Sequence, residues 1–353
     1  MHRPGHTLPP NVGTILVILP SWVGDACMAT ASLRHLRAHA PRARIVALGR
    51  PSLGPLIDGL PFVDAFIGGS MRGLAAIEDL RRVRRERADA ALILPNSFRS
   101  ALFARIASIP RRAGSARDGR SWLLSVAVDD PRQLRTAADS YARLVGAWTG
   151  TPVENARPEL CVTDAERAGA AILLGEDASP TRRWLLLNPG ANRDDKRWSA
   201  PRFAAAARAI AQAAPNTLAS DRIAVTGSPG EAGVCREIAH LCGAIDLCAK
   251  GIALGTLKGV LERTALLLTN DTGPSHMAAA LATPTITLFG PTDQRWTPGD
   301  APLERRLIAE PFLTDDALAD DFPKTCAIDR IAVADVVHAA RALLTRSTGV
   351  TRT

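Results

Sequence analysis

The stretch ILVILPSWVGDACMATASLRHL, residues 15–36, decides the fold. Its opening residues are apolar at both odd and even positions, the pattern of a strand buried on both faces of a parallel sheet. Pro20, Ser21, Trp22 and Gly24 interrupt the run, and apolar residues then recur at helical spacing. The reading is strand, tight turn and helix, with one carboxylate, Asp25, at the helix's positive end. Asp25 is either a first-turn acid that complements the helix dipole or a base presented at a strand end.

The same alternation runs outward from this unit. ARIVALG (43–49) and DAALILP (89–95) read as further buried strands. AAIEDLRRVRRERA reads as a helix with Ile77, Leu80 and Val83 on one side and arginine around the rest. DAALILP ends in a polar loop, NSFRS. Composition shifts over 150–183, where TGTPVENARPEL and GEDASPTRR flank a short helical piece, and the pattern then restarts. RWLLLNPG, RIAVTGSPGE, LLLTNDTGPSHMAAALA and PTITLFGPTD each pair a strand with a loop, and RIAVADVVHAARALLTR closes as a helix. The expected class is α/β with two Rossmann-like domains. The expected divisions are 1–160, a linker region over 161–183, 184–330, and a terminal helix and tail over 331–353. Ligands of open parallel sheets bind beyond the carboxyl ends of the strands, and the polar loops fall there.

Composition narrows the function. The chain has 353 residues, 46% hydrophobic and 22% charged, as in soluble globular proteins, and no apolar run is long enough to span a bilayer. The start, MHRPGHTLPPNVG, has no secretory signal pattern, so a cytoplasmic location is expected. The six cysteines are scattered without a CxxC pair and are read as free thiols, with no metal site. The net charge of +8 is uneven: residues 1–150 carry 21 arginines, no lysine and 11 acids. Such an excess suits an anionic partner or a solvated arginine-rich surface. One tyrosine, Tyr141, leaves little for base stacking, so nucleic acid is not expected.

Three loops carry candidate chemistry. In TNDTGPSHMAAALA, Asp271, Thr272 and Gly273 precede a helix starting near His276; its amides suit an anion, and an N-capped helix is the plain alternative. In NPGANRDDKRWSAPRF, Asn192 sits in a glycine turn and Lys196 is one of only four lysines. Its ammonium either reaches a diphosphate or pairs with Asp194 or Asp195. Trp198 reads as packing beneath the next helix. In TGSPGEAGVCREIA, Glu231 either holds a ribose diol or complements a helix start. No GxGxxG, GxxxxGK[ST] or GxSxG motif occurs, which weighs against dehydrogenases, P-loop NTPases and α/β-hydrolases.

Taken in order, PSWVGD (20–25), LPNSFRSAL (94–102), NPGANRDDKRW (188–198), TNDTGPSHMAAAL (269–281) and LFGPTD (288–293) resemble the lipopolysaccharide heptosyltransferases of glycosyltransferase family 9. PSWVGD and LPNSFRS are closest to the heptosyltransferase II branch, while NRDD is nearer the heptosyltransferase I pattern. The resemblance implies a GT-B fold with a central cleft and inverting heptose transfer from ADP-L-glycero-D-manno-heptose. The implied acceptor is the phosphorylated heptose–Kdo–lipid A inner core. It implies Asp25 as general base. Asn192, Lys196, Glu231, Asp271, Thr272, Gly273 and His276 fall on the donor side. Ser21, Trp22, Gly24, Asn96, Ser97 and Arg99 fall on the acceptor side. No metal or cofactor is implied. The arginine surplus, including Arg81, Arg82, Arg84, Arg85, Arg87, Arg99, Arg105, Arg111, Arg112, Arg117 and Arg120, then reads as facing the anionic inner leaflet. A related enzyme with another glycan or protein acceptor, or a non-catalytic binding protein, are the alternatives.

Overall fold

A computed structural model describes residues 7–129, 136–175, 184–215, 218, 222–291, 294, 303–309 and 327–347. The chain divides into two compact units, the first ending at Cys161 and the second beginning at Val162.

The first unit contains β1 (Thr14–Ile18), α1 (Val23–His39), β2 (Arg44–Gly49), α2 (Gly54–Ile57), β3 (Ala65–Gly68) and α3 (Ala75–Arg85). It continues through β4 (Ala90–Ile93), α4 (Phe98–Ile106), β5 (Arg111–Ser115), β6 (Val126–Val128) and α5 (Ala137–Thr149). Its sheet is parallel in the order β3-β2-β1-β4-β5-β6. β1 is the doubly buried strand its sequence implies: Ile15 and Val17 enter one core, Leu16 and Ile18 the other. Asp89 fixes its entry by accepting hydrogen bonds from the amides of Gly13 and Thr14.

The second unit contains α6 (Asp164–Leu174), β7 (Trp184–Asn188), α7 (Ala200–Ala213), β8 (Ile223–Val225), α8 (Ala232–Cys242) and β9 (Ile245–Asp246). α9 (Leu254–Arg263), β10 (Thr264–Asn270), α10 (Gly273–Ala280), β11 (Thr285–Phe289), β12 (Glu304–Ile308) and α11 (Val333–Ser347) complete it. The parallel sheet runs β9-β8-β7-β10-β11-β12, the same doubly wound topology as the first. The α/β, two-Rossmann GT-B architecture expected from sequence is the one observed. Trp198 is buried, as expected, donating its indole N–H to the Ile331 carbonyl and meeting Phe203 edge-on.

Some local readings change. Ile77 is not part of the buried stripe of α3 but 51% exposed, whereas Asp79 on the inward side is buried and accepts the Met71 amide. The second half of NSFRS is helix, capped by Ser97, whose Oγ accepts the Ser100 amide. α6, within the stretch read as a linker region, packs on α9. There Lys258, with no exposed surface, pairs with Glu166 at 2.9 Å.

The α6–α9 approach depends on a missing side chain. A Cβ at Gly259 would lie 2.5 Å from the Glu166 carbonyl oxygen and 2.9 Å from the Ala170 Cβ. Gly259→Ala should therefore destabilise the protein by about 1–3 kcal/mol through overpacking. Helix propensity alone would give a gain of about 1 kcal/mol. Denaturant unfolding distinguishes the two by sign.

Candidate functional site

In each sheet the strand order reverses at one place, between β1 and β4 in the first unit and between β7 and β10 in the second. PSWVGD, LPNSFRS, NPGANRDDKRW and TNDTGPSH follow those four strands, where an α/β sheet opens to receive a ligand, while the Glu231 loop follows β8 and LFGPTD follows β11.

After β1, Trp22 is the N-cap of α1 and Asp25 lies in its first turn, yet no side-chain capping bond forms there. The half-buried carboxylate has no hydrogen bond or ion pair among the described residues. Desolvation by burial raises its pKa above the usual carboxylate value. Asp25 therefore lies in the first turn without serving as its hydrogen-bonding cap. Tyr141 on α5 lies within its electrostatic reach: burial first, then the Asp25 charge, pushes the phenol upward and keeps it protonated. Sequence reasoning noticed Tyr141 only as the single tyrosine; its proximity arises from α5 packing on α1.

The flanking loops add an exposed rim. Trp22 is 65% exposed, with the Arg50 guanidinium 5.9 Å from its ring centre. After β4, Asn96, Ser97 and Arg99 are exposed, and Phe98 pairs with Trp122, ring centres 6.1 Å apart. Ser21 is exposed and Gly24 buried beside them. This loop is shaped from below by Arg120, which is fully buried. Its guanidinium donates to the carbonyls of Pro95, Ser97 and Ser115 and to the hydroxyls of Ser100 and Ser115. Burial lowers its pKa to about 10, with Asp118 opposing, so it remains a cation at neutral pH. The Ser115 hydroxyl also donates to the Asn96 Oδ1 at 2.5 Å.

Arg120 therefore corrects the sequence reading, which placed it on a membrane-facing surface. Arg112 is likewise engaged inside the fold, donating to the carbonyls of Leu123, Ile109 and Pro110.

In the second unit, two buried asparagines tie the switch point together. Asn188, ending β7, donates its amide to the hydroxyls of Thr269 and Thr272, both at 2.9 Å. Asn270, ending β10, donates in return to the Pro189 and Gly190 carbonyls at 2.9 and 3.3 Å. Its Oδ1 accepts the Trp198 amide. Thr272 is the N-cap of α10 but makes no side-chain cap bond, since Asn188 and the Asn270 carbonyl engage its hydroxyl. Asp271 and Gly273 flank it, both half-buried.

The NPGANRDDKRW loop returns beside this helix start. Asp194 pairs with Arg197 at 2.6 Å, and Asp195 is gripped by Arg193 through two nitrogens. The Arg193 hydrogen bond chiefly holds the Asp195 pKa down, with Lys196 adding a weaker electrostatic pull. Lys196 itself forms no ion pair among the described residues. The acidic neighbours that the sequence offered Lys196 as surface partners are instead paired with Arg193 and Arg197. Asn192 is exposed in the same loop.

Glu231 joins the loops after β7 and β8. Its Oε2 accepts the Ser228 amide at 2.7 Å and the Ser228 hydroxyl at 2.8 Å. Its Oε1 lies so close over Gly190 that a Cβ there would approach within 2.2 Å. The capping role is real, and it also fixes a carboxylate oxygen against the switch-point turn.

His276, in α10, has its pKa lowered to about 4 by burial, with the Arg306 charge adding to the effect. At neutral pH it is an uncharged imidazole. Arg306 on β12 lies 5.6 Å from the Phe289 ring centre and pairs with Glu304 at 3.0 Å. Little in 301–330 matches the family pattern in sequence, and Asn188 reads there only as the end of a strand. The available signal for Asn188 was one amide closing a run of leucines.

Five cysteines, Cys27, Cys161, Cys235, Cys242 and Cys248, are free thiols; Cys326 lies outside the described residues. Among the described residues no three His, Cys, Asp or Glu side chains gather as a metal site.

Two doubly wound sheets, each with polar loops at its switch point, define a GT-B glycosyltransferase framework. Residues 78–328 match the family described as glycosyltransferase family 9 (heptosyltransferase), and the chain belongs to it. It is 30% identical over 308 residues to lipopolysaccharide heptosyltransferase 2 of Salmonella typhimurium, covering 80% of this chain and 84% of that protein. The solved E. coli ADP-heptose LPS heptosyltransferase II superposes with a TM-score of 0.78 at 26% identity, covering 95% and 99% of the two chains. A family 9 glycosyltransferase from Veillonella parvula shares the fold, with a TM-score of 0.82 at 22% identity over 97% and 100% of the chains.

The depressed His276 pKa has a sign that can be checked. Between its folded value of about 4 and an unfolded value of about 6.5, the unfolded chain binds more protons, so stability rises with pH. This contribution is complete above about pH 6.5 and lost on descending to about pH 4, a change of order 3 kcal/mol. Subtracting His276→Gln unfolding curves from wild-type curves at several pH values should isolate it.

Proposed function

We propose that the chain transfers L-glycero-D-manno-heptose from ADP-heptose to the phosphorylated heptose–Kdo–lipid A inner core, with inversion, as heptosyltransferase II does. The observation that carries this reading is the placement of the motif residues at both sheet switch points, in a family 9 chain.

Asp25 takes the proton of the acceptor hydroxyl while that oxygen bonds to the anomeric carbon. The bond from this carbon to the ADP oxygen breaks on the opposite face, and the leaving diphosphate carries away the electron pair. A sugar hydroxyl is far too weak an acid to ionise alone near neutral pH, so a positioned base contributes about 10²–10⁴ in rate. The raised pKa of Asp25 makes it a better proton acceptor than an exposed carboxylate.

Lys196, Thr272, Gly273 and the start of α10 meet the charge developing on ADP, chemistry that a divalent ion supplies in other transferases. Neutral His276 offers this diphosphate a hydrogen bond without competing for protons. Glu231 receives the ribose hydroxyls, Asp271 those of the heptose, and Asn192 borders the donor loop. Ser21, Trp22, Gly24, Asn96, Ser97 and Arg99 receive the acceptor, whose phosphates suit Arg99 and Arg50. The lipid anchor of this acceptor places the enzyme in the cytoplasm, peripherally on the inner face of the membrane. No helix among the described residues is long and apolar enough to cross it.

The test is mass spectrometry of the product formed from ADP-heptose and a truncated inner-core acceptor. One added heptose is expected, and none would overturn the reading. Asp25→Asn should lower kcat by about 10²–10⁴. It should also raise the unfolding midpoint at neutral pH, because an acid with a raised folded pKa is least stabilising when ionised. Near-normal turnover would remove Asp25 as the base.

A further inference from the structure

Outside the switch point, the first unit bears a second chemically distinct surface. Side chains at 74, 77, 81, 84 and 85 share the outward side of α3 and the turn before it, at helical spacing. Leu74 is 86% exposed and Ile77 51%, and Arg81, Arg84 and Arg85 are exposed beside them. Arg84 donates to the Ile106 carbonyl at 2.7 Å, bringing the end of α4 against this helix. Ile106 is 47% exposed there, next to exposed Arg105.

The acids cancel only part of this charge. Glu78 pairs with Arg81 and Arg82 at 3.8 and 3.4 Å, Glu86 turns away to Arg44, and Asp79 is buried. Large apolar side chains set among fixed cations match the boundary between anionic headgroups and acyl chains. Nucleic acid would satisfy the arginines but offer nothing to Leu74, Ile77 and Ile106.

We propose that this face of α3 and the end of α4 docks the enzyme on an anionic bilayer. Leu74, Ile77 and Ile106 enter the headgroup boundary, and Arg81, Arg85 and Arg105 contact lipid phosphates. The inference rests on the lipid-linked acceptor proposed above and names the surface that brings the enzyme to it. These arginines do the work that the sequence reading had spread over the whole basic half of the chain, including the inward-turned Arg112 and Arg120.

The test uses the full chain and sedimentation with vesicles of phosphatidylcholine alone or containing phosphatidylglycerol. Wild type should bind the phosphatidylglycerol vesicles at least tenfold more tightly, with loss in high salt. Paired Leu74→Ser and Ile77→Ser changes should weaken binding about tenfold or more, since each removes a buried apolar side chain. Paired Arg81→Glu and Arg85→Glu changes should weaken it at least as much. Both variants should retain wild-type kcat/KM on a soluble, delipidated inner-core saccharide.

Absence of wild-type binding, or undiminished binding by both variants, overturns the proposal. So does parallel loss of transfer to the soluble acceptor, which would place the face in the fold or site. Duplex DNA or RNA binding as tight as vesicle binding, lost only in the arginine variants, would also overturn it. Vesicle binding that follows the expected pattern in a protein that transfers no heptose would sustain the surface and defeat the functional reading alone.

Discussion

The reciprocal hydrogen bonding of Asn188 and Asn270 is the constraint on which the proposed donor half-site depends. Each ends one of the two strands flanking the switch point, and each donates to groups on the other strand or the loop that follows it. Both side chains are buried, so these amides cannot trade their partners for water without cost. Leaving a buried polar group unmatched costs about 1–3 kcal/mol, more than one such bond contributes when made. The pair thereby holds Thr272 at the start of α10 and the Gly190 turn in a single register. Glu231 rests on that turn, and Trp198 hangs from the same Asn270. The groups proposed to face the ligand are exposed to varying degrees, but Asn188 and Asn270 are not.

The first unit follows a related logic with a different device. A buried guanidinium, Arg120, gathers the carbonyls of the loop after β4 from below and turns Asn96, Ser97 and Phe98 outward. In the same unit, Asp25 occupies a position where desolvation raises its pKa. The fold thus tolerates a partly buried acid that contributes little to stability when ionised. Such tolerance is common where a group must accept a proton during reaction.

Legibility in sequence followed burial and periodicity. β1 and β10 announce themselves because both faces are covered, leaving uninterrupted runs of Ile, Leu and Val. β5 and β12 do not. RRAGS and ERRLI begin with charged side chains that reach carbonyls or glutamate partners, so neither has an apolar period. Ile77 misled for the opposite reason, an apolar residue at core spacing that faces outward. The motif loops were visible because Gly, Pro, Asn and Asp cluster where strands end. Their supports were less so: the Asn188–Thr272 bond spans 84 positions, and the Arg120–Pro95 bond spans 25. Lys196 shows what coordinates add, since only they reveal that Arg193 and Arg197 occupy its acidic neighbours.

The most direct measurement is a crystal structure of the protein with ADP bound. The account predicts the diphosphate within hydrogen-bonding distance of the Thr272 hydroxyl and the first amides of α10, with Lys196 beside it and the ribose at Glu231. ADP ordered away from the β7–β10 switch point, with Thr272 and Lys196 uninvolved, would contradict it.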